Sequence, residues 1–344
     1  MIILAAIAIG LFAVALDYAQ PVLMPLVIAV LMSFVLSLGV AFLQRLRVPR
    51  VVAITILILT ILAVFSLVGL FFFNSIQSFI RIFPRYQGRM QELLDAVTGG
   101  LNTRFGVPTT VLEDFDWTGV LSDYLLSLSG GFFNFASGLV VVTLFLVFLL
   151  LERPYMKAKL ETAFESRTSE RIGLVIGHIN QQIGRYLTLK FLISAATGFI
   201  IWLSLTLIGM DFPVIWGFLG FVLNFIPNIG STVHFVITSL MAVVQFVPDD
   251  VGKAVSVAVA MLTIQTIIGS FLDPRLQGHR LDISPFLILF SLILWGWLWG
   301  AIGMFLSTPI TVAVKIVCAN IPALKPISVL MGKGFGRASP KLRT

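Results

Sequence analysis

The string Asn224-Phe225-Ile226-Pro227-Asn228-Ile229-Gly230-Ser231 sets two side-chain amides, a proline and a glycine inside an apolar run. Each amide offers donors and an acceptor, the set that a small hydroxylated solute needs from a binding site. Pro227 lacks a backbone donor and frees a carbonyl one turn upstream. Gly230 permits a tight turn beside it. The same residues suit a hairpin turn whose amides cap broken helix ends, and the two roles are compatible. A second set, Gly296, Gly300, Gly303 and Ser307-Thr308-Pro309, interrupts another uncharged run. Its glycines permit close helix approach or a hinge. The backbone at Pro309 is a further candidate contact for a solute.

Residues 273–285 form a charged link between two apolar runs. A charge at the centre of a bilayer costs about 2.5–3.5 kcal/mol on insertion scales, so these residues belong at an interface or face a cavity. Asp273 with Arg275, or Asp282 with Arg280, can pair in a loop. Alternatively Asp273 and Arg275 act in gating or ion coupling. Asn180, Gln181 and Arg185 are candidates for an entrance to the same pathway. Enzyme chemistry finds no support. His178, His234 and His279 lack metal-ligand spacing. Ser231 and His234 are three apart, with no evident third member or oxyanion hole. Gly332-Lys333-Gly334-Phe335-Gly336 lacks the spacing of a phosphate-binding loop. No cofactor or metal is expected.

The elements that carry these residues are apolar. Of 344 residues, 58% are hydrophobic and 11% charged, where a soluble domain has roughly 25% charged. The mean hydropathy is +1.03. This composition specifies an all-α polytopic membrane protein. A single span needs about 20 apolar residues. Candidates are 2–19, 21–43, 51–73, 131–151, 190–209 and 254–272, plus the broken stretches 212–247 and 283–314. That gives about six to eight spanning helices. The first run has no Lys or Arg before it, so it reads as a membrane segment rather than a cleaved leader. Its abrupt start leaves room for a longer native N-terminus. One cysteine, Cys318, allows no internal disulfide.

The broken stretches are each too long for one crossing and short for two. Residues 212–225 would make a helix of about 21 Å against a hydrocarbon core of about 30 Å, so re-entrant hairpins are preferred to full crossings. Lys and Arg gather in 44–50, 152–190 and the tail, while 74–130 is acid-rich. The positive-inside rule then puts both termini in the cytoplasm, and it brings the hairpins in from opposite faces to meet near the midplane. The net charge of +7 follows from those cytoplasmic loops and implies no nucleic acid.

The expected division is N-terminal helices (1–73), an extracytoplasmic helical segment (74–130), a span (131–151), cytoplasmic amphipathic helices (152–189), a transport region with both hairpins (190–320) and a basic tail (321–344). Ile76, Phe79, Ile80 and Phe83 form an apolar stripe on an extension of the third span. Pro84 is expected to kink that extension, and Gly99-Gly100 to end it. Residues 172–187 carry a second stripe, for a helix on the membrane surface or packed on its own bundle; a subunit contact or coupling element is the alternative. The match of 215–219 to 294–298 hints at an internal repeat.

The chain resembles the autoinducer-2 exporter (AI-2E) family of bacterial inner-membrane proteins. The resemblance rests on Arg47-Val48-Pro49-Arg50, Tyr186-Leu187 with Lys190, Trp216-Gly217 through Gly230, Asp273-Pro274-Arg275, and Phe290 through Leu298 with Gly300, Gly303-Met304 and Pro309. The family often has Glu-Pro where this chain has Asp273-Pro274. The resemblance implies export of a small polar signalling molecule used in quorum sensing, by elevator-like movement of the hairpin-containing part. It also implies a homo-oligomer, a pentamer. Some relatives are assigned sodium(lithium)/proton antiport, so that reading stands as the alternative.

Overall fold

Long apolar runs with few breakers give long helices, and the described residues contain no strand. The computed structural model describes residues 14–16, 18–105, 137–153, 155–226, 229–247, 249–272, 275 and 283–332. In chain order the helices are α1 (Gln20–Arg45), α2 (Arg50–Phe105), α3 (Ser137–Glu152), α4 (Tyr155–Ala163), α5 (Ser166–Ile208), α6 (Pro213–Leu223), α7 (Ile229–Phe246), α8 (Val251–Gln265), α9 (Pro285–Asn320) and α10 (Lys325–Leu330). Among the described residues, six helices are long and apolar enough to cross a bilayer. Their outward faces carry large apolar side chains, including Leu207, Leu240 and Phe199. Such faces suit lipid rather than water. This is an all-α, multi-pass membrane architecture.

Three buried clusters organise it. Leu36, Ala53, Ile54, Val142 and Leu146 join α1, α2 and α3. Leu31, Ile183, Tyr186, Leu187, Leu306 and Val312 join α1, α5 and α9. Ile201, Leu205, Trp216, Ala242, Val257 and Met261 join α5 to α8. The stripe at 172–187 therefore packs on its own bundle. It is also the first half of a single 43-residue helix, about 65 Å long. The boundary expected at 189/190 falls inside that helix, because no glycine or proline interrupts 185–195.

The end expected at Gly99-Gly100 is absent, and Pro309 does not interrupt its helix. Pro84 lies inside α2, which continues through Gly99-Gly100 to Phe105. Pro84 is exposed, so the backbone carbonyl it frees need not be buried without a partner. Pro309 lies inside α9. Two residues before it, the Ser307 carbonyl accepts from Thr311 Oγ1 at 2.7 Å and from Ser291 Oγ at 3.2 Å; the carbonyl that a proline at 309 deprives of its helical donor is that of Phe305. The second stretch breaks at Trp299 and Gly300, within the glycine set expected to interrupt it, where Gly300 has φ +62° and ψ −145°.

Beyond the membrane portion, α2 grips the transport region. Phe79 stacks on Tyr86 and meets Phe212 edge-on. The Tyr86 hydroxyl donates to Asp211, and Arg89 pairs with Asp249 and donates to the Gln245 carbonyl. Burial first, then the Asp211 carboxylate, push the Tyr86 hydroxyl above its usual range. The hydroxyl therefore stays protonated and donating at neutral pH and gives up this bond as it ionises at high alkalinity. Tyr86→Phe keeps the ring packing and removes one hydrogen bond; it should cost about 1 kcal/mol, read as a lower Tm in detergent.

Candidate functional site

Gly209, at φ +86°, ends α5, and the Met210 amide donates back to the Leu205 carbonyl at 2.9 Å. This left-handed glycine cap turns the chain back on itself. Gln245 fixes the turn from α7: its Oε1 accepts from the Asp211 amide at 2.9 Å and its Nε2 donates to the Gly209 carbonyl at 3.2 Å. Phe212 then enters α6 at φ +54°, ahead of Pro213. Helix α6 has 11 residues and spans about 16 Å, too short to cross. After it the amides of Phe225 and Ile226 reach back three residues, to Val222 and Leu223. The chain returns as α7.

The return is possible because residue 230 has no side chain. A Cβ there would lie 1.8 Å from the Leu223 carbonyl oxygen. The second hairpin repeats the device, with a Cβ at Gly303 falling 1.9 Å from the Trp295 carbonyl oxygen. Gly296 similarly accommodates Met304 at 2.8 Å. Thus Gly296, Gly300 and Gly303 all serve the second turn. The sequence echo does not occupy equivalent places: Gly217 packs against Trp202 and Gly198 of α5, whereas Gly296 packs within its own hairpin.

The hairpins touch. Phe225, at the first tip, lies 4.5 Å between ring centroids from Phe305 on the second arm of the other. A cavity of about 70 Å³ opens beside the first tip, but towards α5 and α8. Its polar lining comes from Lys190, Thr197, Asn224, Ser231, His234 and Gln265. Asn224 Nδ2 donates to Ser194 Oγ at 3.0 Å, and Gln265 Nε2 donates to the Ser231 carbonyl at 2.6 Å. The seven residues after Gln265 form a π-helical stretch, a local widening often found at functional sites. Lys190 is only 2% exposed. All of these residues except Asn224 lie within the candidate membrane spans.

Of the residues singled out in the sequence, Asn224 and Gly230 line this cavity. Pro227, Asn228 and Asp273 lie outside the described residues. Pro309 is buried within α9 and does not line it; neither do Arg275, Gln181 and Arg185, which are exposed. Lys190 and His234 are the additions. Lys190, Ser194, Thr197 and Ile201 follow i, i+4, i+7, i+11 spacing, a polar stripe on an apolar helix that marks a cavity-facing side. At the second turn, the indole nitrogen of Trp299 and the hydroxyl of Thr308 are buried with no protein partner.

The sequence pattern of the AI-2E family transporters matches residues 1–323. The chain belongs to the AI-2E transporter family. A protein of Borreliella burgdorferi, named for transport without a stated cargo, is 36% identical over 331 residues, 96% of this chain and 89% of its own. The AI-2 transport protein TqsA of Escherichia coli is 31% identical over 317 residues, 91% and 90% of the two chains. A sodium-lithium/proton antiporter of Halobacillus andaensis is 22% identical over 333 residues, 88% and 91%. Among its described residues, this AI-2E transporter has a polar cavity beside the first hairpin tip, within a bundle of apolar helices.

Proposed function

We propose that this AI-2E transporter exports a small polar signalling molecule of the autoinducer-2 type across the bacterial inner membrane. The supporting observation is the cavity beside the first hairpin tip, where Asn224, Lys190 and His234 present hydrogen-bonding groups. Broken helices that expose backbone at membrane depth are how transporters build substrate sites. Access alternates as the hairpin-bearing part shifts, elevator-like, against α1–α3, with Gly296, Gly300 and Gly303 yielding in the second turn. Asp273, Arg275, Gln181 and Arg185 act along the pathway rather than in the cavity. Both termini are cytoplasmic, and the chain assembles as a homo-oligomer, a pentamer, in the bilayer.

Cation exchange is the competing reading. It needs a carboxylate that alternately holds a proton and a metal ion. Among the described residues no Asp or Glu lines the cavity, and no group of three His, Cys, Asp or Glu gathers to hold a metal. Asp273, the carboxylate that antiport would use, lies outside the described residues. The test is saturable flux of labelled C3–C5 hydroxylated carbonyl compounds in sealed proteoliposomes, with and without sodium and proton gradients. Asn224→Ala should cut flux about tenfold, the equivalent of a lost hydrogen bond or two. Metal-dependent proton exchange with no solute flux would replace this reading with antiport.

A further inference from the structure

In the sequence His234 appears only as a histidine without metal-ligand or catalytic partners, yet its surroundings are the most specific in the cavity. The residue is 1% exposed. Its Nε2 lies 3.0 Å from the Trp216 carbonyl oxygen and 3.4 Å from Thr238 Oγ1. A carbonyl only accepts, so Nε2 carries the hydrogen. Gly220 lies beside the ring, a Cβ there falling at ordinary contact distance, 3.5 Å, from Nε2. Its other nitrogen, Nδ1, is buried with no protein partner. In a neutral imidazole whose Nε2 donates, Nδ1 is a bare acceptor. Buried acceptors are nearly always satisfied, by protein or by what fills the adjoining space. His234 is one of the residues lining a cavity of about 70 Å³, whereas one water needs about 10–15 Å³.

Resting on the transport reading above, we infer that His234 Nδ1 is the acceptor that selects a hydroxyl-bearing neutral solute in this cavity. The hydroxyl donates to Nδ1. Asn224, on the opposite arm of the same hairpin, donates to an oxygen elsewhere on the solute, and the Lys190 ammonium offers another donor from α5. The site thereby demands a donor and an acceptor on one small molecule. A simple ketone satisfies only the second demand. A polyol or hydroxyketone satisfies both. Because the two hairpin arms each contribute one contact, such a solute also bridges the arms across their turn.

Dihydroxyacetone and acetone form the test pair, since both carry a carbonyl and only the first carries hydroxyls. The full chain, with His178 and His279 replaced by glutamine and histidine labelled with nitrogen-15, leaves the His234 ring as the sole imidazole signal. In lipid nanodiscs, dihydroxyacetone should shift the Nδ1 resonance saturably while Nε2 stays fixed. Acetone should leave both unchanged. Asn224→Ala should weaken the saturation about tenfold. Saturable dihydroxyacetone flux in proteoliposomes with an unmoved Nδ1 overturns the inference and leaves the transport reading intact. An equal response to acetone overturns it too. A moved Nδ1 without flux keeps the site and removes the transport role. Neither flux nor shift removes both.

Discussion

Replacing Gly230 with alanine should abolish transport and lower the Tm of the purified protein more than any other single-methyl change in the cavity lining. The new Cβ would lie 1.8 Å from the Leu223 carbonyl oxygen, 2.7 Å from its carbon and 3.2 Å from its Cα. All three are backbone atoms, so no side chain can rotate away. The arms of the hairpin must separate, and α6 packs too closely on α5 to follow: Gly217 and Gly198 already meet there, with a Cβ on Gly198 falling 2.6 Å from the Gly217 carbonyl. Overpacking of this kind costs about 3 kcal/mol. Gly303→Ala should behave alike, from its contact with the Trp295 carbonyl. Gly177→Ala is the control: it meets nothing within 4 Å and should be neutral or stabilising by up to about 1 kcal/mol. The check is thermal unfolding in detergent beside vesicle flux. A Gly230→Ala protein with normal Tm and normal flux would mean that the arms do not meet here.

Lys190→Met should reduce flux at least about tenfold, and its Tm shows whether the ammonium also supports a neighbour. Methionine keeps most of the apolar stem and removes the ammonium. An ionised group inside a bilayer costs about 2.5–3.5 kcal/mol on insertion scales, so chains retain one chiefly where it binds, couples or pairs. Lys190 is 2% exposed, beside Asn224 and His234 at the cavity. Removing a costly charge without loss of stability, together with loss of flux, is the signature of a group held for function. A lower Tm with flux retained would instead make Lys190 a strut that supports its neighbours. Arg in its place is not a conservative control, since the planar guanidinium is larger and its charge differently spread.

The membrane class, the two interruptions and the amide-bearing first tip were all legible in the sequence, because they follow from charge counting and from residues with unusual backbone demands. Which member of the second set makes the tip was not. Pro309 is the conspicuous breaker there, yet α9 runs through it, while the chain reverses at Trp299 and Gly300. Proline marks a missing donor; it does not say whether neighbours will compensate. Pro84 teaches the same thing on an exposed face. Lys190 was hidden by the positive-inside count, which treats a lysine at a span's edge as loop charge. The register that would have exposed it, a polar residue every third or fourth position from 190 to 197, is visible only once α5 is known to run unbroken. His234 illustrates a further limit: its meaning comes from the Trp216 carbonyl, on a different helix.

The twelve buried residues of the cluster around α5 to α8 all fall between Ile193 and Ile268. The cluster that binds α9 joins Leu31 to Val312 and Ile316. Local contacts close quickly and distant ones slowly, and a chain emerges from the ribosome N-terminal end first. The unit containing the cavity can therefore mature while α9 is still being synthesised. Only afterwards does the carboxyl-terminal helical hairpin dock beside it, sealing nascent surface that until then must be shielded by lipid or by the insertion machinery.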